Sequence, residues 1–178
     1  GVTFTFGGLK VTTDAQVEPG FLQPALREAT DATFNMISVD GDTSTNDTVF
    51  LLANGASGAP ALHPETPEWA LLTEALHRVS EHLAKAIARD GEGASKLIEV
   101  EVEGAASLGD ARLAARSISS STLVKTAVHG NDPNWGRIMM ATGKSGAAVV
   151  EATIALYIND VCIMEAGLPV PYFKDALI

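Results

Sequence analysis

Residues 39–55 read VDGDTSTNDTVFLLANG, a polar run followed at once by an apolar one. From Asp40 to Thr48, three aspartates, one asparagine and four Ser or Thr residues can bond backbone N–H groups locally. The apolar run after them predicts that this polar loop is held against the core and is not a loose surface connection. Two interpretations stay open, namely a rigid turn with a cap at Asp47 and one wall of a polar site.

Length and composition predict a globular protein. The chain has 178 residues, of which 46% are hydrophobic and 19% charged, so we expect 1–178 to form a single domain with a proper core. A net charge of −10 argues against nucleic acid as the main partner and gives an anionic membrane little to bind. The single cysteine, Cys162, the lack of a long apolar run and the absence of a visible signal peptide together predict a cytoplasmic protein.

The first half of the chain predicts a hairpin and two helices. Apolar and threonine residues alternate in 1–13 around a glycine pair, which is typical of a β-hairpin. Residues 14–36 predict a helix with Pro19 near its start and Pro24 as an awkward interior residue. Residues 68–89 predict an amphipathic helix on a sheet, because apolar side chains recur at helical spacing. Its inward positions are Trp69, Leu72, Leu76, Val79, Leu83 and Ala86.

The second half adds a strand, two helices and a hairpin. Residues 96–103 alternate between apolar and acidic side chains, which predicts a half-exposed strand. Residues 108–122 predict a helix with Leu113 among its inward residues, and a further helix begins at 138. Residues 153–164 predict a closing hairpin. The whole pattern indicates an α+β fold, a layered sandwich of helices on β-sheets.

Motifs for phosphate and metal binding fail on spacing. Residues 143–145 read GKS, but the glycine that a phosphate-binding loop needs five positions earlier is Ile138. A calcium loop starting at Asp40 needs Gly and Glu where this chain has Thr45 and Leu51. The spaced His and Cys pairs of zinc sites do not occur, so we expect no metal.

Glu92 is the first candidate for a functional side chain. Gly91 and Gly93 bracket it between a predicted helix and a predicted strand, where the backbone can bend sharply. Lys96 could pair with it. The segment is either a helix cap at Gly91 followed by solvated charges, or it presents a carboxylate to a cationic amine of a substrate.

The segment 132–137, DPNWGR, predicts a rigid turn built around a large aromatic side chain. We interpret Arg137 as a structural residue that binds Asp40, Asp42 or Asp47, in preference to a role in contacting substrate.

Six blocks follow one another along the chain: TDA at 13–15, TFN at 33–35, VDGDTSTNDT at 39–48, DGEGA at 90–94, LVKTA at 123–127 and DPNWGR at 132–137. Together they resemble the β chain of the ornithine acetyltransferase family, the bifunctional glutamate N-acetyltransferases of arginine biosynthesis. The resemblance runs from about residue 12 to the end. It implies the ornithine acetyltransferase-like (DmpA-like) fold, and a self-cleaving precursor whose α and β chains stay together as an α2β2 assembly.

The resemblance also implies a reaction. The new N-terminal threonine of the β chain would take the acetyl group of N-acetylornithine and pass it to glutamate. Its free α-amino group, with a pKa near ~8, can serve as the local base. The α chain would supply the oxyanion hole, and Glu92 would contact the amino-acid substrate. No cofactor is expected, although some members use acetyl-CoA as a further substrate.

The chain departs from the family pattern at its start. The family's nucleophile position falls on Phe6, and Thr5 matches it only with a one-residue insertion. The catalytic threonine is therefore Thr5 after further processing, or it is lost upstream or replaced, while Thr5 as an ordinary strand residue is the structural alternative. We expect the chain to be incomplete at both ends. The rival functions are an amidohydrolase or aminopeptidase of the same architecture, and an inactive interaction fragment.

Overall fold

The computed structural model describes residues 2–5 and 8–171, the first four by their backbone alone. Contacts divide the chain into two compact units. The first lies within residues 1–37 and 42–87, and the second within residues 38–41 and 88–178.

The first unit contains a three-stranded sheet. Strand β1 (Val2–Thr5) pairs antiparallel with β2 (Gly8–Thr13), which confirms the predicted hairpin, although its turn lies outside the described residues. Strand β3 (Thr48–Ala53) lies on the other side of β2 and runs parallel to it, with Leu9 opposite Val49. Alternate residues of a strand face opposite sides of the sheet, and this alternation buries Leu9 and other inward residues of β2.

Helix α1 (Pro19–Ala32) begins five residues later than predicted, at the first of its two prolines. Pro19 is tolerated there because the first N–H of a helix has no partner within the helix. Pro24 stands inside the helix, where it cannot donate to the carbonyl of Gly20 and its ring crowds that carbonyl. Thr33 caps the C-terminus of the helix, and its hydroxyl donates to the Ala29 carbonyl at 2.6 Å. A short 3₁₀ turn (Phe34–Met36) follows.

Helix α2 (Pro67–Arg89) confirms the amphipathic prediction. Leu76 and Leu83 are buried against the sheet and α1. Ala86 was predicted to face inward but is exposed, and Ala84 is buried instead. Steps of three and four residues average 3.5 per turn, so a straight helix rotates such a stripe away by about 20° per seven residues. The core comprises Leu9, Val11, Ala25, Ala29, Leu76 and Leu83.

Three helices form the core of the second unit: α3 (Leu108–Ser119), α4 (Thr122–His129) and α5 (Trp135–Gly143). They pack around Ile118, Val124 and Ala141. The prediction of a single helix over 108–122 was wrong at its C-terminal end, because α3 ends at Ser119. The Ser121 hydroxyl accepts a bond from the Val124 N–H and starts a new helix, α4. Leu113 was also wrongly placed inside, since it is 49% exposed.

Among its described residues the second unit also contains a small antiparallel sheet of β4 (Leu156–Ile158), β5 (Val161–Glu165) and β6 (Leu168–Pro169). This confirms the predicted closing hairpin. Asn159 takes a left-handed φ of 52° in its turn, a conformation that asparagine tolerates better than most residues.

The strand predicted over 96–103 is not part of either sheet among the described residues. Its alternation is visible in the burial, because Val100 and Val102 are half-buried while Glu101 and Glu103 are exposed. Val100 packs against the helical core. Periodicity reports which side chains are buried, whereas a strand also requires a neighbour with which to form a ladder. The sheets and helices of residues 2–5 and 8–171 thus belong to the α+β class.

Candidate functional site

Glu92 lies at the tip of a tight turn that follows α2. The Ala94 N–H donates to the Gly91 carbonyl at 2.9 Å, and Gly93 has a φ of +69°. A positive φ at the third position is what a type II turn requires, and glycine supplies it without steric cost. Glu92 occupies the second position, and its carboxylate is exposed. The two glycines therefore present this carboxylate outward from the second unit.

Gly91 does not form the predicted left-handed helix cap, and its role in the turn is a different one. It is absent from the glycines with positive φ, so the prediction of a cap glycine was wrong. A Cβ at this position would lie 2.8 Å from Val39 Cγ1, closer than real Cβ atoms approach other atoms. Gly91 is therefore required by the close approach of residue 39, which belongs to the same unit.

Lys96 closes the other end of the turn, but it does not pair with Glu92. Its Nζ donates to the Val128 carbonyl at 2.7 Å and to the side-chain oxygen of Asn131. The predicted pair with Glu92 was wrong because the end of α4 offers carbonyl oxygens, which attract a cation. Beside it, Ser95 Oγ lies 3.4 Å from His129 Nδ1.

The DPNWGR segment forms the expected rigid turn. Asn134 Oδ1 accepts from the Arg137 N–H at 3.1 Å and caps α5, while its amide nitrogen donates to Asp132 at 3.0 Å. Arg137 Nη1 donates to the Leu123 carbonyl at 2.9 Å and to Thr126 Oγ1 at 3.1 Å. Arg137 thus has a structural role, as predicted. Its aspartate partners were predicted wrongly, because the guanidinium bonds to α4.

The polar loop of residues 40–48 is a hydrogen-bonded surface turn. Ser44 Oγ accepts from the N–H groups of Asn46 and Asp47 at 3.3 and 3.2 Å. This agrees with the interpretation as a rigid turn, except that Ser44 and not Asp47 provides the capping oxygen. Every residue from Asp40 to Thr48 is exposed, so the prediction that the core holds this loop was wrong. Local bonds are enough to order it.

Thr5 is the last residue of β1, and its backbone lies opposite Gly8. Its side chain lies outside the described part of the structure. Thr5 belongs to the first unit and Glu92 to the second.

Among residues 2–5 and 8–171, no group of three or more His, Cys, Asp or Glu side chains is placed to hold a metal ion. The helices of this part of the chain are all too short or too polar to cross a bilayer.

Lys125 is a residue that the sequence pattern did not single out. It lies in a short run of apolar residues, and its Nζ donates to the Val39 carbonyl at 2.7 Å. The sequence feature that could have identified it is a lone lysine within an apolar segment. When the aliphatic part of such a side chain is buried, its ammonium group needs a hydrogen-bond partner.

Comparison with known proteins supports the architecture. The ArgJ family matches residues 9–177. The arginine biosynthesis bifunctional protein ArgJ of Symbiobacterium thermophilum is 56% identical over 166 residues, which are 93% of this chain and 41% of that protein. The ArgJ protein of Bacillus subtilis is 49% identical over 165 residues, again 93% of this chain and 41% of that protein. The chain thus spans about two fifths of the length of these relatives.

A solved structure agrees with the fold. The crystal structure of the arginine biosynthesis bifunctional protein argJ from Bacillus halodurans superposes with a TM-score of 0.92 at 49% identity. The match covers 94% of this chain and 79% of that one. Since sequence and fold agree over nearly all its residues, the chain belongs to the ArgJ family.

Proposed function

We propose that this chain is the β chain of a two-chain enzyme that transfers an acetyl group from N-acetylornithine to glutamate in arginine biosynthesis. The observation that supports it most is the family match over residues 9–177, together with identities of 49% and 56% to bifunctional arginine biosynthesis proteins. The polypeptide would work in the cytoplasm.

The lengths of the relatives support a division into two chains. This chain covers 79% of the solved chain but only 41% of the curated relatives, so the solved chain is about half as long as they are. A precursor that is cut into an α and a β chain of similar size accounts for this difference. The two chains stay associated in the proposed enzyme, as an α2β2 assembly.

Glu92 is the proposed substrate-binding residue. N-acetylornithine keeps a free, cationic amine at the end of its side chain, and a carboxylate is its natural partner. The turn from Gly91 to Ala94 holds the Glu92 carboxylate outward and exposed, where a ligand can reach it. Within the described residues Glu92 makes no ion pair with Lys96, so its charge is available to a substrate.

A threonine hydroxyl is the proposed nucleophile. Its oxygen bonds to the acetyl carbonyl carbon, the C–N bond to ornithine breaks, and the hydroxyl proton passes through the α-amino group to the leaving amine. The amine of glutamate then attacks the threonine ester and releases the hydroxyl. Thr5 is the threonine of this chain proposed for the role, once further processing before it has freed its α-amino group. It precedes the matched residues 9–177, and its competing role is that of a strand residue.

The proposal is tested on the complete two-chain enzyme with N-acetylornithine that carries an isotopically labelled acetyl group. Intact-mass measurement should show one acetyl group on the β chain, which leaves when glutamate is added and appears in N-acetylglutamate. Peptide mapping then identifies the modified threonine. An adduct lost only to water would indicate an amidohydrolase, and no adduct an inactive fragment. Labelled acetyl-CoA, given in place of N-acetylornithine, tests the second donor.

A further inference from the structure

The Glu92 turn is anchored to helix α4 through a residue that is distant in sequence. Lys125, near the middle of α4, donates from Nζ to the Val39 carbonyl at 2.7 Å and to Ser38 Oγ at 3.4 Å. The first of these is a charge-assisted hydrogen bond, which is stronger than a neutral one. It fixes the backbone of residue 39 against α4.

Residue 39 in turn sets the place of the Glu92 turn. The space above Gly91 is filled by Val39, so that even a Cβ there would lie 2.8 Å from Val39 Cγ1. Val39 is 41% exposed, but valine is stiff about χ1, so the position of its methyl group follows the backbone of residue 39. A shift of residue 39 is therefore transmitted directly to Gly91, which immediately precedes Glu92.

The far end of the turn is tied to the same helix. Lys96 donates to the carbonyl of Val128, in the last turn of α4, and to Asn131 just beyond it. One end of the segment that carries Glu92 is thus held directly by Lys96, and the other end lies against Val39, whose carbonyl accepts a bond from Lys125 of α4. Because the Glu92 carboxylate itself is exposed, these anchors determine where it is presented.

We propose that Lys125 is a positioning residue for Glu92, which acts through Val39 and Gly91. This inference rests on the proposed function, in which Glu92 binds the amino-acid substrate. Loss of the Lys125 bond should move the carboxylate relative to the substrate amine and weaken binding, while the chemistry at the threonine continues.

The test compares Lys125→Met, Glu92→Gln and the double variant in the complete two-chain enzyme, by initial-rate kinetics with N-acetylornithine. Lys125→Met keeps the apolar stem and removes the donor. It should raise KM by about tenfold, the size of one lost charge-assisted hydrogen bond, and leave kcat within about twofold. Lys125→Arg should recover most of the loss, since a guanidinium also donates to the Val39 carbonyl. Lys144→Met, at an exposed lysine after α5, is the matched control.

The double variant decides between positioning and a general structural role. If Lys125 acts through Glu92, Lys125→Met should change KM by less than about twofold when Glu92 is already Gln. An equal change in both backgrounds, or no change in either, would overturn the positioning role while leaving the proposed function intact. If Glu92→Gln alone leaves KM unaltered, the binding role of Glu92 fails, and this inference fails with it.

A second pair of variants reaches the same turn without removing the lysine, in case Lys125→Met does not fold. Gly91→Ala places a methyl group against Val39 and should raise KM, and adding Val39→Ala should restore it by vacating the space. A Gly91→Ala enzyme with unchanged KM would overturn the proposal.

Discussion

Ser107 and Asp110 bond to each other at the start of α3. The Ser107 hydroxyl accepts from the Asp110 N–H at 3.1 Å and donates to Asp110 Oδ2 at 2.6 Å. The other carboxylate oxygen, Oδ1, accepts from the Ala148 N–H at 3.1 Å. The pair thus caps the helix and links it to the segment after α5.

This arrangement predicts a dependence of stability on pH. The bond from Ser107, and then that from Ala148, lowers the pKa of Asp110 below its ordinary value of 3.8. The folded state therefore holds the carboxylate more strongly than the unfolded state. Its contribution is fully present above the unfolded pKa and is lost as pH falls through the lowered folded value.

Asp110→Ala should lower the free energy of unfolding at neutral pH and reduce its decline on acidification. Urea titrations between about pH 6 and about pH 3 measure both effects. Asp160→Ala removes a carboxylate from the exposed β4–β5 turn and is the matched control. A wild-type acid dependence that survives unchanged in Asp110→Ala would contradict the role of this cap.

Gly167 gives a second prediction. Its φ is +75°, and a Cβ there would lie 2.5 Å from the Glu151 carbonyl oxygen, a backbone atom that cannot rotate away. Gly167→Ala should lower the free energy of unfolding by more than about 2 kcal/mol. Gly146, with a φ of +82° and nothing within 4 Å, isolates the backbone contribution. Gly146→Ala should cost only about 1–2 kcal/mol in the same urea titration. Equal losses would refute the steric part of the prediction.

The amphipathic assignment of α2 is tested by two leucines on opposite faces. Leu76 is 5% exposed in the core of the first unit, whereas Leu71 is 70% exposed. Leu76→Ala should lower the free energy of unfolding by about 2–5 kcal/mol through lost burial and a residual cavity. Leu71→Ala should change it by less than about 0.5 kcal/mol. Similar effects on the melting temperature at the two positions would mean that the helix is rotated.

Most of the fold could be predicted where one face of an element is buried. The burial of Leu76 and Leu83 follows from the periodicity of α2, because one face of this helix packs against the sheet of the first unit. The break before α4 could not be predicted, since Ser121 acts as a cap only once the chain has turned there. The strand pattern of 96–103 indicated burial correctly but not pairing, which depends on a neighbour distant in sequence.

In the Glu92 turn, too, the local conformation could be predicted from the sequence and the long-range contacts could not. Glycine on both sides of Glu92 indicated a tight turn, and the left-handed φ of Gly93 agrees. The partners of Lys96 and Lys125 could not be predicted, because both bond to backbone carbonyls that carry no side-chain signature. The spacing of residues along the sequence identifies candidate chemical groups. Contacts between segments 32 or more residues apart become known only from the folded structure.

Arg137 gives the last prediction. Its Nη1 donates to both the Leu123 carbonyl and Thr126 Oγ1, so that α5 is fastened to α4 at two acceptors. A lysine at this position has a single flexible point of contact and cannot reproduce the planar geometry of a guanidinium. Arg137→Lys should therefore lower the free energy of unfolding by about 1.5–3 kcal/mol, the net value of one hydrogen bond to a charged group.

Arg78→Lys is the control, because the Arg78 pair with Glu74 on α2 is a surface ion pair whose arginine side chain is 75% exposed. It should change stability by less than about 0.5 kcal/mol. Urea titration of both variants measures the difference. A loss at Arg137 no larger than that at Arg78 would mean that the guanidinium contributes nothing to stability beyond what a lysine ammonium supplies at the same position.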